Sequence, residues 1–228
     1  MKDKLIFKSF IPSVIKETPI RKIKPLEFKW IKKAFEDYKK IKEQHFRVMH
    51  TAKCPGIMSI MNTGWVQCAY QDLTIKTFGD YSSFSWTSEI DQEKLKYGTV
   101  MNQYLNIHTP DQLEKFKPFP IHTYHTIFKI QSPWYVYIPK GYSLLSMAIP
   151  YHDDDRFTAA TGILKGENFL NIQLYWHRIN STEVIKKGTP LVQYILLKDE
   201  EIDWELKEMT DKDVKKIQDP KMYMHIIK

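Results

Sequence analysis

The chain has 228 residues, of which 43% are hydrophobic and 14% aromatic, and this composition excludes an intrinsically disordered protein. No apolar run reaches the ~18 residues of a membrane-spanning helix, and the charged N-terminus lacks the apolar stretch of a secretory signal. Two cysteines, Cys54 and Cys68, do not make a disulfide framework. The sequence therefore predicts a cytoplasmic protein with no membrane partner.

The net charge of +7 is concentrated at the N-terminus. Residues 1–47 contain 14 Lys/Arg and 6 Asp/Glu, a local net of +8, whereas the rest contains 20 and 21, a net of −1. A solvated helix face explains such a segment, and a basic face can also bind an acidic partner, nucleic acid included. No helix-turn-helix, zinc finger or aromatic RNA-binding signature is present.

Helices are predicted at three places along the chain. The clearest runs from Pro25 to about Gln44, because its apolar residues recur at helical spacing and form one stripe. That stripe consists of Ile31, Ala34, Phe35, Tyr38 and Ile41. A shorter helix is predicted after Thr109, which offers an N-cap followed by proline, and a third at Asp211–Gln218, capped by Thr210.

Short strands are predicted through most of the segment from Cys54 to Leu197, which is rich in β-branched and aromatic residues between polar or Gly-containing turns. The predicted strands are Gly64–Tyr70, Asp72–Phe78, Tyr81–Trp86, Thr126–Ile130, Trp134–Ile138, Phe169–Arg178 and Leu191–Leu197. Many short strands favour a sandwich or barrel over a parallel sheet. The predicted fold is a mainly β, single-domain barrel or jelly roll over residues 1–228. It comprises a basic, helix-containing segment (1–47), a β-rich body (48–200) and a C-terminal helical tail (201–228).

Two turn phrases near the end of the β-rich body carry a family resemblance. Ile-Pro-Lys-Gly-Tyr (138–142), Gly162-Ile163 and Ile-Lys-Lys-Gly (185–188) followed by Gln193 resemble the dUTP pyrophosphatase and dCTP deaminase superfamily. The resemblance implies a jelly-roll β-barrel, a homotrimer and a nucleotide site. The family's Arg-Ser-Gly motif would fall at residues 151–156, which read Tyr-His-Asp-Asp-Asp-Arg, and its water-activating Asp at Leu164 or Lys165. The turns match and the catalytic residues do not.

A second resemblance spans about residues 10–204. The phrases Thr-Ala-Lys-Cys-Pro (51–55), Ser-Pro-Trp-Tyr-Val (132–136) and Lys-Gly-Thr-Pro-Leu-Val-Gln (187–193) resemble a family from tailed phages and environmental viral sequences, to which no activity is assigned. The resemblance implies a viral origin, for which the cytoplasm would be that of the host. Residues 162–167 read Gly-Ile-Leu-Lys-Gly-Glu where that family usually has Gly-x-Val-Asp-Thr-Asp.

The polar run 151–156 offers candidate site residues. His152-x-Asp154 has the His-x-Asp spacing of two ligands of a non-haem Fe²⁺ site on a strand, with His177 or His225 as a third ligand. Three consecutive aspartates are more typical of a solvated turn. For a nucleotide site, the groups that replace the family's phosphate and Mg²⁺ ligands are Asp153, Asp154, Asp155, Arg156 and Glu167.

Three functional classes follow from these patterns. The first is a non-enzymatic viral accessory protein that binds another protein or forms a homo-oligomer, a trimer being the first form to test. The second is a nucleotide-binding or nucleotide-hydrolysing relative of the dUTP pyrophosphatases, which would need Mg²⁺. The third is an Fe²⁺ oxygenase that uses His152 and Asp154.

Overall fold

A computed structural model describes residues 4–24, 28–42, 54–88, 103–108 and 123–218. The helices are α1 (Pro12–Glu17), α2 (Lys29–Lys42), α3 (Pro55–Asn62) and α4 (Asp211–Gln218). The strands up to the middle of the chain are β1 (Ile6–Ser9), β2 (Arg21–Lys22), β3 (Trp65–Cys68), β4 (Leu73–Thr77), β5 (Phe84–Ser88), β6 (Leu105–His108), β7 (Ile127–Ile130) and β8 (Trp134–Tyr137). The later strands are β9 (Tyr142–Met147), β10 (Phe157–Ala159), β11 (Gly162–Leu164), β12 (Glu167–Phe169), β13 (Ile172–Trp176), β14 (Thr182–Ile185) and β15 (Pro190–Lys198).

The strands form four sheets, in the orders β1-β8-β12, β10-β13-β7-β6, β11-β9-β15-β3-β2 and β14-β4-β5, and neighbouring strands pair antiparallel. The prediction of a mainly β protein is confirmed. The prediction of a barrel is not, because every sheet in the described residues ends in two edge strands and none closes. The jelly roll of the dUTP pyrophosphatases therefore stays an expectation.

The chain divides into two compact units. A β-rich unit comprises Met1–Ile23 and Gly64–Asp199, and a second unit comprises Lys24–Thr63 and Glu200–Lys228, with α2, α3 and α4. A compact unit does not have to fold on its own. The prediction of a single domain therefore stays a prediction. Within the described ranges, no helix is long and apolar enough to cross a membrane.

The core of the β-rich unit is rich in aromatic rings. Trp176 is fully buried, lies edge-on to Phe128 with ring centroids 5.7 Å apart, and stacks on Phe157 at 6.4 Å. In β13, Ile172 and Leu174 are buried on the same side as Trp176, as the period-two alternation predicts. Aromatic pairs of this kind stabilise a core beyond the area that they bury.

Three buried polar side chains, Tyr194, Gln67 and Ser132, also form a hydrogen-bonded group in the core. Tyr194 on β15 donates a hydrogen bond to Gln67 Oε1 on β3 (2.9 Å), and Gln67 Nε2 donates to the hydroxyl of Ser132 (2.8 Å). Burial raises the pKa of Tyr194, so the phenol stays protonated and remains a donor. The group is therefore internally paired and stabilises the sheet that contains β3 and β15.

The two turn phrases lie where the sequence predicts turns. Tyr142 N–H donates to the carbonyl of Pro139 (3.2 Å), and Gly141 has a φ of +82°. Thr189 N–H donates to the carbonyl of Lys186 (3.0 Å), with Gly188 at +86°. These left-handed conformations favour glycine, which explains the glycine in each phrase.

The predicted helices meet different outcomes. The first begins at Lys29 and ends at Lys42 in the described residues, and the third spans Asp211–Gln218 as predicted. At its start, Thr210 and Asp213 form a reciprocal cap, because Asp213 N–H donates to Thr210 Oγ1 and Thr210 N–H to the Asp213 carboxylate. The helix predicted after Thr109 lies outside the described residues.

The expectation that the segment after Cys54 starts with strands is wrong over Pro55–Asn62, which forms α3. Pro55 lies in the first turn of α3, where its missing N–H costs nothing, and Met61 is fully buried. The strand predicted at Tyr81–Trp86 begins later, at Phe84. Asp80 accepts hydrogen bonds from the backbone N–H groups of Ser82 and Ser83, which turns the chain before the strand.

Candidate functional site

The polar run lies between β9 and β10 and is held by an ion pair. Arg156 Nε donates to Asp154 Oδ1 (2.8 Å), and its Nη2 contacts Asp154 Oδ2, so that the pair is bidentate. The side chains are only 19% and 13% exposed. Arg156 Nη1 also donates to the carbonyl of Val184 on β14. The guanidinium thus joins the start of β10 to a strand of a different sheet.

Burial and pairing act in opposite directions on Asp154. Burial raises the pKa of its carboxyl, but the hydrogen bonds and positive charge of Arg156 lower it, and the net shift is downward. The hydrogen bond to Asp154 is the main cause that raises the pKa of Arg156. Both groups therefore stay charged at neutral pH. Because both carboxylate oxygens already accept from Arg156, a metal ion at Asp154 would have to compete with this pair.

His152 lies beside the pair. Its Nδ1 accepts a hydrogen bond from the backbone N–H of Asp154 (3.3 Å), and its ring centroid is 6.2 Å from that of Phe157. Burial is the main cause that lowers the pKa of His152 below its usual value, against the opposing charge of Asp154. The imidazole is therefore neutral at pH 7, and the accepting Nδ1 identifies the tautomer with its proton on Nε2.

The remaining candidates around the run are also paired. Arg178 contacts the carboxylate of Asp155 in a surface ion pair. His177 Nε2 lies 2.7 Å from the hydroxyl of Thr158, and the backbone N–H of His177 donates to the carbonyl of Arg156 (2.9 Å). Burial, followed by the charge of Arg178, lowers the pKa of His177. We call His152, Asp154, Asp155, Arg156 and His177 the polar knot; Asp153 is an exposed residue within the same turn.

Glu167 lies elsewhere. It is the first residue of β12, in the β1-β8-β12 sheet, and Tyr135 donates a hydrogen bond to its Oε2 (2.6 Å). This bond is the main cause that raises the pKa of Tyr135. Grouping Glu167 with the aspartates as phosphate or Mg²⁺ ligands therefore stays a prediction without a contact that supports it.

Metal binding gains no support from the geometry. Among the residues that the structure describes, no three His, Cys, Asp or Glu side chains are arranged to hold an ion. His225, the alternative third ligand of the Fe²⁺ hypothesis, lies outside those residues. The contacts of the polar knot are instead those of a clamp between strands. The carbonyl of Val184 is 28 residues from Arg156 along the chain, so no local sequence pattern indicates this contact.

A second surface has the character of a binding site. The outward side of the β1-β8-β12 sheet exposes Ile6 (39%), Tyr137 (40%) and Phe169 (47%), beside the half-buried Tyr135. We call these four residues the tyrosine face. Strand register places Ile6 opposite Tyr137, and Tyr135 opposite Phe169 with ring centroids 5.2 Å apart and edge-on.

The tyrosine face could have been found from the sequence. In Trp-Tyr-Val-Tyr (134–137), Trp134 and Val136 are buried, so the period-two geometry of a strand places both tyrosines on the outer side. The signal in the sequence is that large apolar or aromatic residues occupy the positions that face inward and also those that face outward in this strand. A strand with one solvated face normally carries polar residues at one of the sets.

Comparisons with protein-family models, with curated proteins and with solved structures find no match to this chain.

Proposed function

We propose that this chain is a non-enzymatic, self-associating viral accessory protein that uses the tyrosine face as its contact surface. The observation that carries the proposal is the exposure of Tyr137 and Phe169 on one side of a regular sheet. Tyrosine and phenylalanine are enriched in protein interfaces, because they bury a large area and lose little rotamer freedom. An exposed aromatic group on a rigid sheet is more characteristic of a contact surface than of a solvated one.

The charges around the tyrosine face favour a protein over a nucleic acid. Lys8 lies in the same row as Tyr135 and Phe169, and Glu167 lies in the row of Ile6 and Tyr137. One positive and one negative side chain give no net attraction for phosphates, whereas nucleic-acid surfaces are basic. A rim of mixed charge around an apolar centre is the usual composition of a protein interface.

The polar knot supports a non-enzymatic protein. Catalysis by Asp154 or His177 requires an acceptor that can reach a substrate, but Asp154 is bound to Arg156 and His177 to Thr158. The viral assignment rests on the phrases quoted above at 51–55, 132–136 and 187–193. Self-association as a trimer is the form that the superfamily resemblance favours.

The experiment combines mass measurement with a ligand panel. Light scattering is expected to give an oligomer for the wild-type chain and a lower mass for Tyr137→Ser/Phe169→Ser. Phe78→Ser, which removes another aromatic that is 48% exposed, is the matched control and is expected to keep the wild-type mass. An unchanged mass for Tyr137→Ser/Phe169→Ser overturns the role of the tyrosine face.

Thermal melting tests the enzymatic alternatives. Deoxynucleotides with Mg²⁺, and Fe²⁺ alone, are expected to leave the melting temperature of the wild-type chain unchanged, because only a ligand that binds the folded state raises it. A rise of a few degrees with a nucleotide would favour a dUTP pyrophosphatase relative. A rise with Fe²⁺ that His152→Ala abolishes would favour the oxygenase.

A further inference from the structure

The segment Glu200–Met209, which we call the acidic arm, exposes large apolar side chains. Ile202, Trp204 and Leu206 are 80%, 81% and 89% exposed, and no helix or strand includes them. They occur at every second position, and a charged residue stands on either side of each. Such alternation gives an extended chain one apolar and one charged side. Leaving these side chains in water forfeits about 2 kcal/mol for each one that could be buried.

The arm is also strongly acidic. It contains the five carboxylates of Glu200, Glu201, Asp203, Glu205 and Glu208 against the single amine of Lys207, a net charge of −4. Glu205 pairs with Lys207, but both side chains are well exposed and such a pair contributes little. A surface that buries the arm therefore needs both apolar area and positive charge.

Helix α2 provides both. It carries six lysines and two acidic residues, a net charge of +4, and the side chains of Lys32, Lys33, Lys39 and Lys40 are exposed. Beside these lysines, Phe35 and Tyr38 of its apolar stripe are only half-buried, and so is Trp30 next to the stripe. The charges of arm and helix are therefore equal in magnitude and opposite in sign.

The dimensions also agree. Lys33 and Lys40 are about 10 Å apart along the axis of α2, at 1.5 Å per residue. Glu201, Asp203 and Glu205 would span about 13 Å on one side of an extended arm, at 3.3 Å per residue. The flexible lysine stems cover the difference. If the arm lies edge-on along α2, its carboxylates can reach the lysines on one flank while Trp204 and Leu206 reach the half-buried aromatic residues on the other.

We propose that the acidic arm of one copy of this chain binds along helix α2 of a second copy. Trp204 and Leu206 are exposed to solvent, so a single copy does not bury these two side chains on its own helix. A second copy therefore supplies the acidic partner that the basic N-terminal segment predicts. The contact is separate from the tyrosine face and, unlike it, depends on ionic strength.

A charge exchange in the full-length chain tests the proposal. Sedimentation equilibrium at about 50 mM NaCl is expected to show that Glu201→Lys/Asp203→Lys weakens self-association about tenfold or more, and Lys33→Glu/Lys40→Glu likewise. Combining all four changes is expected to restore it. Trp204→Ala is expected to weaken it at both low and high salt. Lys16→Glu/Lys140→Glu, the same charge change at other exposed lysines, is the control and is expected to leave it intact.

The outcomes separate this contact from the tyrosine face. If the two charge-reversed variants associate like the wild type, or if the combined variant does not recover, the arm–helix contact is overturned. If the charge variants behave as expected while Tyr137→Ser/Phe169→Ser keeps the wild-type mass, the arm–helix contact stands and the role of the tyrosine face fails. A wild-type chain that is monomeric at every concentration and salt overturns the arm–helix contact.

Discussion

Gly64, the residue before β3, leaves almost no room for a larger residue. Its φ is +83°, and a Cβ built on it would lie 1.9 Å from the carbonyl oxygen of Tyr194. The neighbouring atoms are backbone atoms of β15, so they cannot rotate out of the way as a side chain would. Gly141 has a similar φ of +82° but has open space around the added Cβ. Comparing alanine substitutions at the two positions therefore distinguishes the free-energy cost of the clash from that of the left-handed backbone.

We expect Gly64→Ala to destabilise the β-rich unit by about 4 kcal/mol, in the range that clashes and overpacking reach. Gly141→Ala is expected to cost only about 1 kcal/mol, the price of a left-handed conformation for alanine. Urea unfolding of both variants, with the wild type, gives the two free energies. Equal losses for the two variants would contradict the close approach at Gly64.

Among the elements, β10 and β14 are joined by a side chain rather than by a backbone ladder. They belong to different sheets, and Arg156 links them by binding both Asp154 and the carbonyl of Val184. An arginine with a planar, multi-donor head suits this position, because it can satisfy a carboxylate and a carbonyl together. Lysine would satisfy the charge but not the bidentate geometry.

Asp154→Asn is expected to destabilise the protein by about 2 kcal/mol, because it leaves the largely buried Arg156 without its counter-charge. Asp153→Asn alters an exposed carboxylate in the same turn and is expected to change the free energy of unfolding by less than about 0.5 kcal/mol. Chemical denaturation of the two variants measures the difference. If Asp154→Asn loses no more unfolding free energy than Asp153→Asn, the ion pair does not stabilise the fold.

For the whole molecule, the two histidines of the polar knot make stability depend on pH. The pKa values of His152 and His177 both lie below the usual 6.5 in the folded protein. The unfolded chain therefore binds protons at these positions at a higher pH than the folded chain. Stability is unaffected by them above about pH 6.5 and falls as the pH drops from there toward the lower folded values.

His152→Asn/His177→Gln is expected to remove part of this slope. The variant's free energy of unfolding should change less between about pH 7 and pH 5 than that of the wild type, because the two lowered pKa values are absent. Urea titrations at a series of pH values measure it, with His108→Gln as a control that removes a different imidazole. The same slope in the double variant and in the wild type would mean that other groups cause it.

Local patterns predicted the elements better than their assembly. The alternation in β13, the cap at Thr210 and the two glycine turns are determined by neighbouring residues, and the sequence predicts them. The open sheets are not predicted, since barrel closure depends on which strands pair at the edges. Helix α3 was missed because a short apolar run such as Ile57–Met61 fits a helix or a strand equally well.

The sequence predicted which residues belong to the candidate site but not the contacts that they make. The run 151–156 does bring His152, Asp154 and Arg156 together, because they are close along the chain. Whether Asp154 is available for a ligand depends on Arg156, and the position of Arg156 depends on the carbonyl of Val184, which is distant in sequence. The alternation in Trp-Tyr-Val-Tyr (134–137) indicates that one pair of aromatic or apolar residues faces outward, but the assembled sheet decides that this pair is Tyr135 and Tyr137.

The hydrogen bond from Ile23 N–H to the carbonyl of Gly64 (3.4 Å) has an evolutionary consequence. It continues the pairing of β2 with β3, so the chain leaves and re-enters the β-rich unit at adjacent points. For the β-rich unit, residues 24–63 act as one long connection between β2 and β3. Because doubling the length of a loop costs only about 0.6 kcal/mol, a change in the length of this connection costs the β-rich unit little. The lysine-rich helix can therefore diverge in length and sequence while the sheets stay unchanged.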